Sequence, residues 1–225
     1  MLSMNFRSLV GKTVLITGGN AGIGFQVAKV LSGELGANVV IAGRNKDRVE
    51  NALSILRPLA NGGEVHGEVV DLASLNSIDQ FSSQIRHRFP SLDVLINNAG
   101  VFVPPHTKTE QGWDVQLGTN ALGTFYLTHK LMPQLIKAPS ARIVTLTSSF
   151  ANLPSESDLD RLLLDVGGAK RTAPSTLADY AASKLLNILF TIELDSRLHR
   201  AGTRVEAFAA DPGYIRTELA GKSDK

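Results

Sequence analysis

Val14-Leu15-Ile16-Thr17-Gly18-Gly19-Asn20-Ala21-Gly22-Ile23-Gly24 decides the fold. The apolar run Val14-Leu15-Ile16 shows no polar alternation, so it reads as a strand buried on both faces. A glycine cluster ends it, and Ile23, Val27, Val30 and Leu31 then share one face of a helix. Outward from this unit the pattern repeats. Asn38–Ile41 is a second strand, followed by a charged helix from Lys46 to about Leu59. After the Asn61-Gly62-Gly63 turn come a strand over Glu64–Val70 and a helix over Ser74–Phe89, stopped by Pro90. Further strands are expected at Leu92–Ile96, Arg142–Thr147 and Val205–Ala209. Helical tracts are expected over Thr109–Ile136, broken near Gly118, and over Leu177–Leu198. Such alternation implies an α/β fold. It is a doubly wound parallel sheet of about six strands with helices on both faces and a ligand crevice at the strands' carboxyl ends.

The 225 residues suffice for one domain with a sizeable core, so a single domain over 1–225 is expected. Net charge is +2 and no long Lys/Arg run occurs, so no nucleic-acid partner is expected. The absence of cysteine excludes disulfides, thiolate catalysis and Cys-zinc sites. Met1–Leu9 carries no apolar run long enough for a signal peptide or anchor, and no run long enough to span a bilayer follows. A soluble, cytoplasmic protein is the resulting expectation. His66, His87, His106, His129 and His199 show no metal spacing, and no metal site is expected. Trp113 reads as packing, and Glu193 and Asp195 as helix-surface charges.

A tight strand-to-helix turn demands glycine where the backbone must approach a pyrophosphate, and the helix N-terminus offers free N–H groups to phosphate. Its place at the first strand-to-helix junction of an alternating chain points to a dinucleotide. The second strand ends Ile41-Ala42-Gly43-Arg44-Asn45. A carboxylate there would hold a ribose 2′-hydroxyl; Arg44 stands instead and can pair with a 2′-phosphate, so NADP(H) is favoured. Asp71-Leu72 closes the third strand, where Asp71 could accept from an adenine amino group or cap the next helix.

Tyr180 and Lys184 lie four apart in a helical tract, hence on one face. An ammonium ~4–5 Å from the phenol at an effective dielectric of ~20 supplies about 4 kcal/mol, enough to bring its pKa from ~10 towards neutrality. Thr145-Leu146-Thr147-Ser148-Ser149 ends the fifth strand with hydroxyls at the crevice.

Thr17-Gly18…Gly22-Ile23-Gly24, Asn97-Asn98-Ala99-Gly100, Asn120, Ser149, Tyr180…Lys184 and Asp211-Pro212-Gly213…Thr217 together resemble the short-chain dehydrogenase/reductase family. The resemblance covers about residues 10 to 220. It implies a Rossmann fold and an NADP(H)-dependent enzyme interconverting an alcohol and a carbonyl. Tyr180 would be the acid/base, and Lys184 would lower its pKa and hold the nicotinamide ribose. Ser149, with Ser148 as second candidate, would orient the carbonyl oxygen. Asn120 would break a helix and anchor a water leading to Lys184. Gly18, Asn20, Gly22, Ile23, Gly24, Arg44, Asp71, Leu72, Asn98, Ala99 and Gly100 would line the cofactor. Pro212, Gly213, Ile215 and Thr217 would wrap its nicotinamide end.

The sequence from Tyr180 to Leu194, Thr109–Asp114 and the long segment Phe150–Asp179 look like the retinol dehydrogenase and WW-domain oxidoreductase branch. That branch implies a hydrophobic alcohol or carbonyl as the small-molecule partner. The inserted segment could wall a pocket or be a surface excursion. The family continues past the Pro-Gly motif with another helix and strand, which this sequence, ending at Lys225, is expected to lack. An alternative reading is therefore a catalytically weak NADP(H)-binding regulatory or interaction protein. A homo-oligomer is the other partner the resemblance allows.

Overall fold

The computed structural model describes residues 8–104, 108–166, 176–213 and 215. Six parallel strands, β1 (Thr13–Thr17), β2 (Asn38–Gly43), β3 (Val65–Val69), β4 (Val94–Asn97), β5 (Ala141–Leu146) and β6 (Val205–Ala210), form one sheet in the order β3-β2-β1-β4-β5-β6. Successive residues of a strand point to opposite faces, and the runs Val14-Leu15-Ile16 and Val39-Val40-Ile41 feed two cores accordingly. Leu15, Val40, Leu95 and Ile143 pack with α3 (Leu75–Arg88), α4 (Gly123–Lys137) and α6 (Leu177–Arg200). Val14, Ile16, Val39 and Ile41 pack with α1 (Gly22–Gly33) and α2 (Lys46–Leu56). Each such side chain, fully buried, contributes about 1.5–3 kcal/mol.

The expected helix over 109–136 does not begin at Thr109. Gly112, at φ +84°, closes a turn in which the Thr109 N–H donates to the Trp113 carbonyl at 2.8 Å. Asp114 then accepts from the N–H groups of Gln116 (2.9 Å) and Leu117 (3.1 Å), which starts the helix after it. The break expected near Gly118 is a π-helical stretch, Leu117–Leu122, running directly into α4. A further helix, α5 (Glu156–Val166), occupies part of the inserted segment, and its Leu159 packs against Leu117, Ala121 and Ala182. Residues 167–175 of that segment, with Lys170 and Arg171, lie outside the described residues. Among the described residues no helix is long and apolar enough to cross a membrane.

Candidate active site

The strand order reverses between β1 and β4, and there the carboxyl ends of the strands open into a cleft of about 550 Å³. Thr17 and Asn98 hold its floor together. Thr17 Oγ1 accepts from the N–H groups of Asn98 and Ala99, each at 3.1 Å, and Asn98 Nδ2 donates to the carbonyls of Thr17 (2.8 Å) and Gly18 (3.2 Å). This clamp explains the glycines. Gly18 sits at φ +66°, and a Cβ there would stand 2.8 Å from Asn98 Nδ2. A Cβ on Gly24 would strike the same amide and the Gly18 carbonyl.

The N-termini of α2, α3 and α6 carry side-chain caps from Asn45, Ser74 and Thr176. That of α1 has Ala21 at the cap, no side-chain hydrogen bond and no acid in its first turn, and Ala21, Gly22 and Ile23 line the cleft. Its free N–H groups and positive dipole end therefore suit an anion. Asn20, Gly18, Ala99 and Gly100 line the same wall.

At the far end the lining is Arg44, Asn45 and Arg48. Asp71 is the one carboxylate among the described lining residues; its Oδ1 accepts from the Ala73 N–H at 2.9 Å. The α3 cap is Ser74, which leaves Asp71 facing the cleft beside Leu72. Arg48 lay outside the sequence reading. Its signal was available, since it falls one helical turn after Arg44 in a helix whose N-cap is Asn45.

At the near end α6 presents Tyr180 and Lys184 to one cleft, with the Lys184 ammonium 5.7 Å from the Tyr180 ring centre. Lys184 Nζ donates to the Leu146 carbonyl at 3.1 Å. Burial pushes the Lys184 amine down to about 8. The expectation that Lys184 draws the phenol towards neutrality is not met. Burial holds Tyr180 above its ordinary range, Asp211 adds to this, and a hydrogen bond with Ser148 opposes it. The amine is turned onto a backbone carbonyl, and desolvation acts on both groups against charge.

The hydroxyl beside the phenol belongs to Ser148, the second candidate. Ser148 is extended (φ −160°, ψ 153°), half-buried, and caps the short turn Ser149–Asn152 by accepting from the Phe150 N–H at 3.3 Å. Ser149 begins that turn and is exposed. Asn120 lies in the π-helical stretch, fully buried behind the cleft. Its Oδ1 accepts from the Val101 N–H at 2.8 Å, and its Nδ2 donates to the Val101 carbonyl and to Ser183 Oγ, each at 3.0 Å. A Cβ on Gly100 would stand 3.3 Å from Asn120 Oδ1 and 3.6 Å from Lys184 Nζ, so the three residues share one corner.

Two aromatic rings missed in the sequence flank the phenol edge-on, Phe102 at 4.8 Å and Phe150 at 6.2 Å between ring centres. Each lies within two residues of a sequence motif, Asn97–Gly100 for Phe102 and Ser148-Ser149 for Phe150. Pro212 lines the cleft; Gly213 and Ile215 are exposed and do not, and Thr217 lies outside the described residues. A smaller cavity of about 360 Å³, bounded by Asp195, His199, Arg204 and Glu206, lies away from this cleft and shares no lining residue with it.

An open parallel sheet with a glycine turn and an uncapped helix at its switch point is a Rossmann fold. The family model described as short chain dehydrogenase matches residues 12–158, and the chain belongs to that family. It is 40% identical over 212 residues to retinol dehydrogenase 13 of Homo sapiens, covering 94% of this chain and 61% of that protein. It is 39% identical to retinol dehydrogenase 14 of Mus musculus, covering 93% and 63%. The chain thus spans about three-fifths of the length of these curated relatives. Among solved structures it resembles a putative uncharacterized protein from Mycobacterium paratuberculosis, with a TM-score of 0.78 and 35% identity over 96% of this chain and 74% of that one.

Proposed function

We propose that the protein is an NADP(H)-dependent oxidoreductase acting on a hydrophobic alcohol or carbonyl. One observation carries the reading: Tyr180 and Lys184 line the same continuous cleft as the glycine turn and Arg44. The residues fit the cofactor. The uncapped α1 terminus would take the pyrophosphate, Arg44 the 2′-phosphate, and Lys184 and the Gly100 corner the nicotinamide ribose. When bound, the dinucleotide supplies the two-electron acceptor or donor and, when oxidised, a positive charge near the phenol.

The remaining chemistry belongs to the chain. Tyr180, held above its ordinary range, is protonated at neutral pH and suits a proton donor to a carbonyl oxygen. Ser148, whose hydroxyl acts on the phenol to lower its pKa against burial, would orient that oxygen, so it displaces Ser149 as the proposed partner. Asn120 fixes the backbone of the wall beside Lys184 through both polar groups of Val101. Phe102 and Phe150 keep the phenol's surroundings apolar, which suits an alkenal or retinoid-like chain and agrees with the relatives' names.

The test is NADPH consumption with retinaldehyde and medium-chain aldehydes. Tyr180→Phe is expected to lower turnover by about 10²–10⁴-fold while leaving NADPH binding intact. Turnover by the wild type no faster than by Tyr180→Phe would refute the reading.

A further inference from the structure

Gln116 is fully buried and sits outside the motifs that the reading above uses. Its two ends reach different parts of the molecule. Oε1 accepts from the Val103 N–H at 2.7 Å, and Nε2 donates to the Thr176 carbonyl at 2.8 Å. Val103 belongs to the wall that follows β4, one residue after Phe102. It has φ +36°, a left-handed conformation that a β-branched side chain adopts only under constraint. Thr176 caps α6. Its hydroxyl and N–H both bond to Asp179 Oδ2 at 2.7 Å, and the Asp179 N–H returns to Thr176 Oγ1 at 3.3 Å. Asp179 precedes Tyr180. One amide therefore joins the wall that carries Phe102 to the helix end that carries Tyr180, and these are the two rings packed edge-on.

Resting on the function proposed above, we infer that Gln116 is a positioning residue: it sets the Tyr180 phenol in register with the Phe102 wall by bonding Val103 and the α6 cap at once. Asn120 makes a second tie, from Val101 to Ser183 Oγ, which in turn donates to the Tyr180 carbonyl at 2.7 Å; it holds the first turn of α6 to the start of the wall, whereas Gln116 holds the α6 cap to Val103 on the far side of Phe102. Without the amide, Val103 relaxes from its strained conformation, Phe102 swings with it, and water reaches the phenol.

The experiment compares the wild type, Gln116→Met and Gln116→Glu in the full chain, each with its melting curve. The Tyr180 phenol is titrated by ultraviolet difference against a Tyr180→Phe reference. This arm requires no turnover. In Gln116→Met, of similar volume but without either bond, the phenol is expected to titrate lower, nearer an ordinary tyrosine, because hydration removes the burial that raised it. With NADPH and retinaldehyde, kcat should fall about tenfold or more, whereas NADPH affinity should change less than about threefold. Gln116→Glu keeps the shape and the acceptor for Val103. With its buried carboxyl protonated it donates to Thr176 as the amide does; ionised, it cannot. Its kcat relative to wild type should accordingly be near normal at low pH and fall as pH rises. That variant decides the matter if Gln116→Met does not fold.

An unshifted phenol titration and unchanged kcat in folded Gln116→Met, or a pH-independent ratio for Gln116→Glu, would overturn the inference. Absence of turnover in the wild type refutes the oxidoreductase reading instead, and the titration still decides whether Gln116 positions Tyr180.

Discussion

At the scale of single residues, Lys184 shows how the site opposes the fold. A buried lysine that ionises at about 8 instead of 10.5 releases its proton in the native state while the unfolded chain still holds one. Between those values the unfolded state binds more protons, so stability rises with pH across that window and the penalty is fullest below about 8. Lys184→Met, which removes the charge at similar volume, should therefore melt higher than wild type at pH 7, by up to the order of 3 kcal/mol. The gain should vanish towards pH 10.5, and catalysis should be lost with it. A melting difference independent of pH would refute this account. The sequence placed Tyr180 and Lys184 on one helix face correctly, because a spacing of four is purely local geometry. It gave the sign of the phenol's displacement wrongly, because burial is a property of the packed surroundings. The ground for proposing Ser148 over Ser149 was equally out of reach. It depends on the chain staying extended through Ser148 before it turns.

Among the elements, the π-helical stretch is where local propensity and function diverge. Its wider turn places Asn120 against Val101 and Ser183, satisfying three polar partners inside the protein. Asn120→Ala takes this partner from both polar groups of Val101, at about 1–3 kcal/mol apiece when no water enters, while Ser183 Oγ keeps its bond to the Tyr180 carbonyl. A loss of roughly 2–4 kcal/mol is expected, equivalent to a drop of about 5–15 °C in Tm by calorimetry. An unchanged Tm would show that Val101 finds another partner. Gly118 hinted at an irregularity, but composition could not distinguish a broken helix from one wound a residue wider. The strands were more legible. Runs such as Val14–Ile16 and Val39–Ile41 are apolar because both of their faces meet helices, and their two cores follow from the alternation of a strand. The start of the helix before Asn120 was misplaced because Gly112 and Asp114 carry turn and cap roles that apolar periodicity does not register.

For the molecule as a whole, nucleotide binding and folding are linked. A ligand that binds only the native state at 100 times its Kd adds about 2.7 kcal/mol. NADPH at that excess should raise Tm by roughly 5–10 °C. The proposed role of Arg44 adds a discrimination: Arg44→Ala should weaken NADPH by ~10–100-fold and NADH by much less. Equal losses would remove Arg44 as the phosphate reader. The clamp beneath the cleft has a consequence in time as well as in space. Asn98 reaches back 81 residues in the chain to the Thr17 carbonyl, so the glycine turn can form early but its floor cannot close until β4 has been made and set beside β1. Such distant contacts are completed late. Asn98→Ala should accordingly accelerate unfolding while barely slowing refolding in stopped-flow traces. A nascent chain shorter than β4 would carry the fingerprint of nucleotide binding without the ability to grip one.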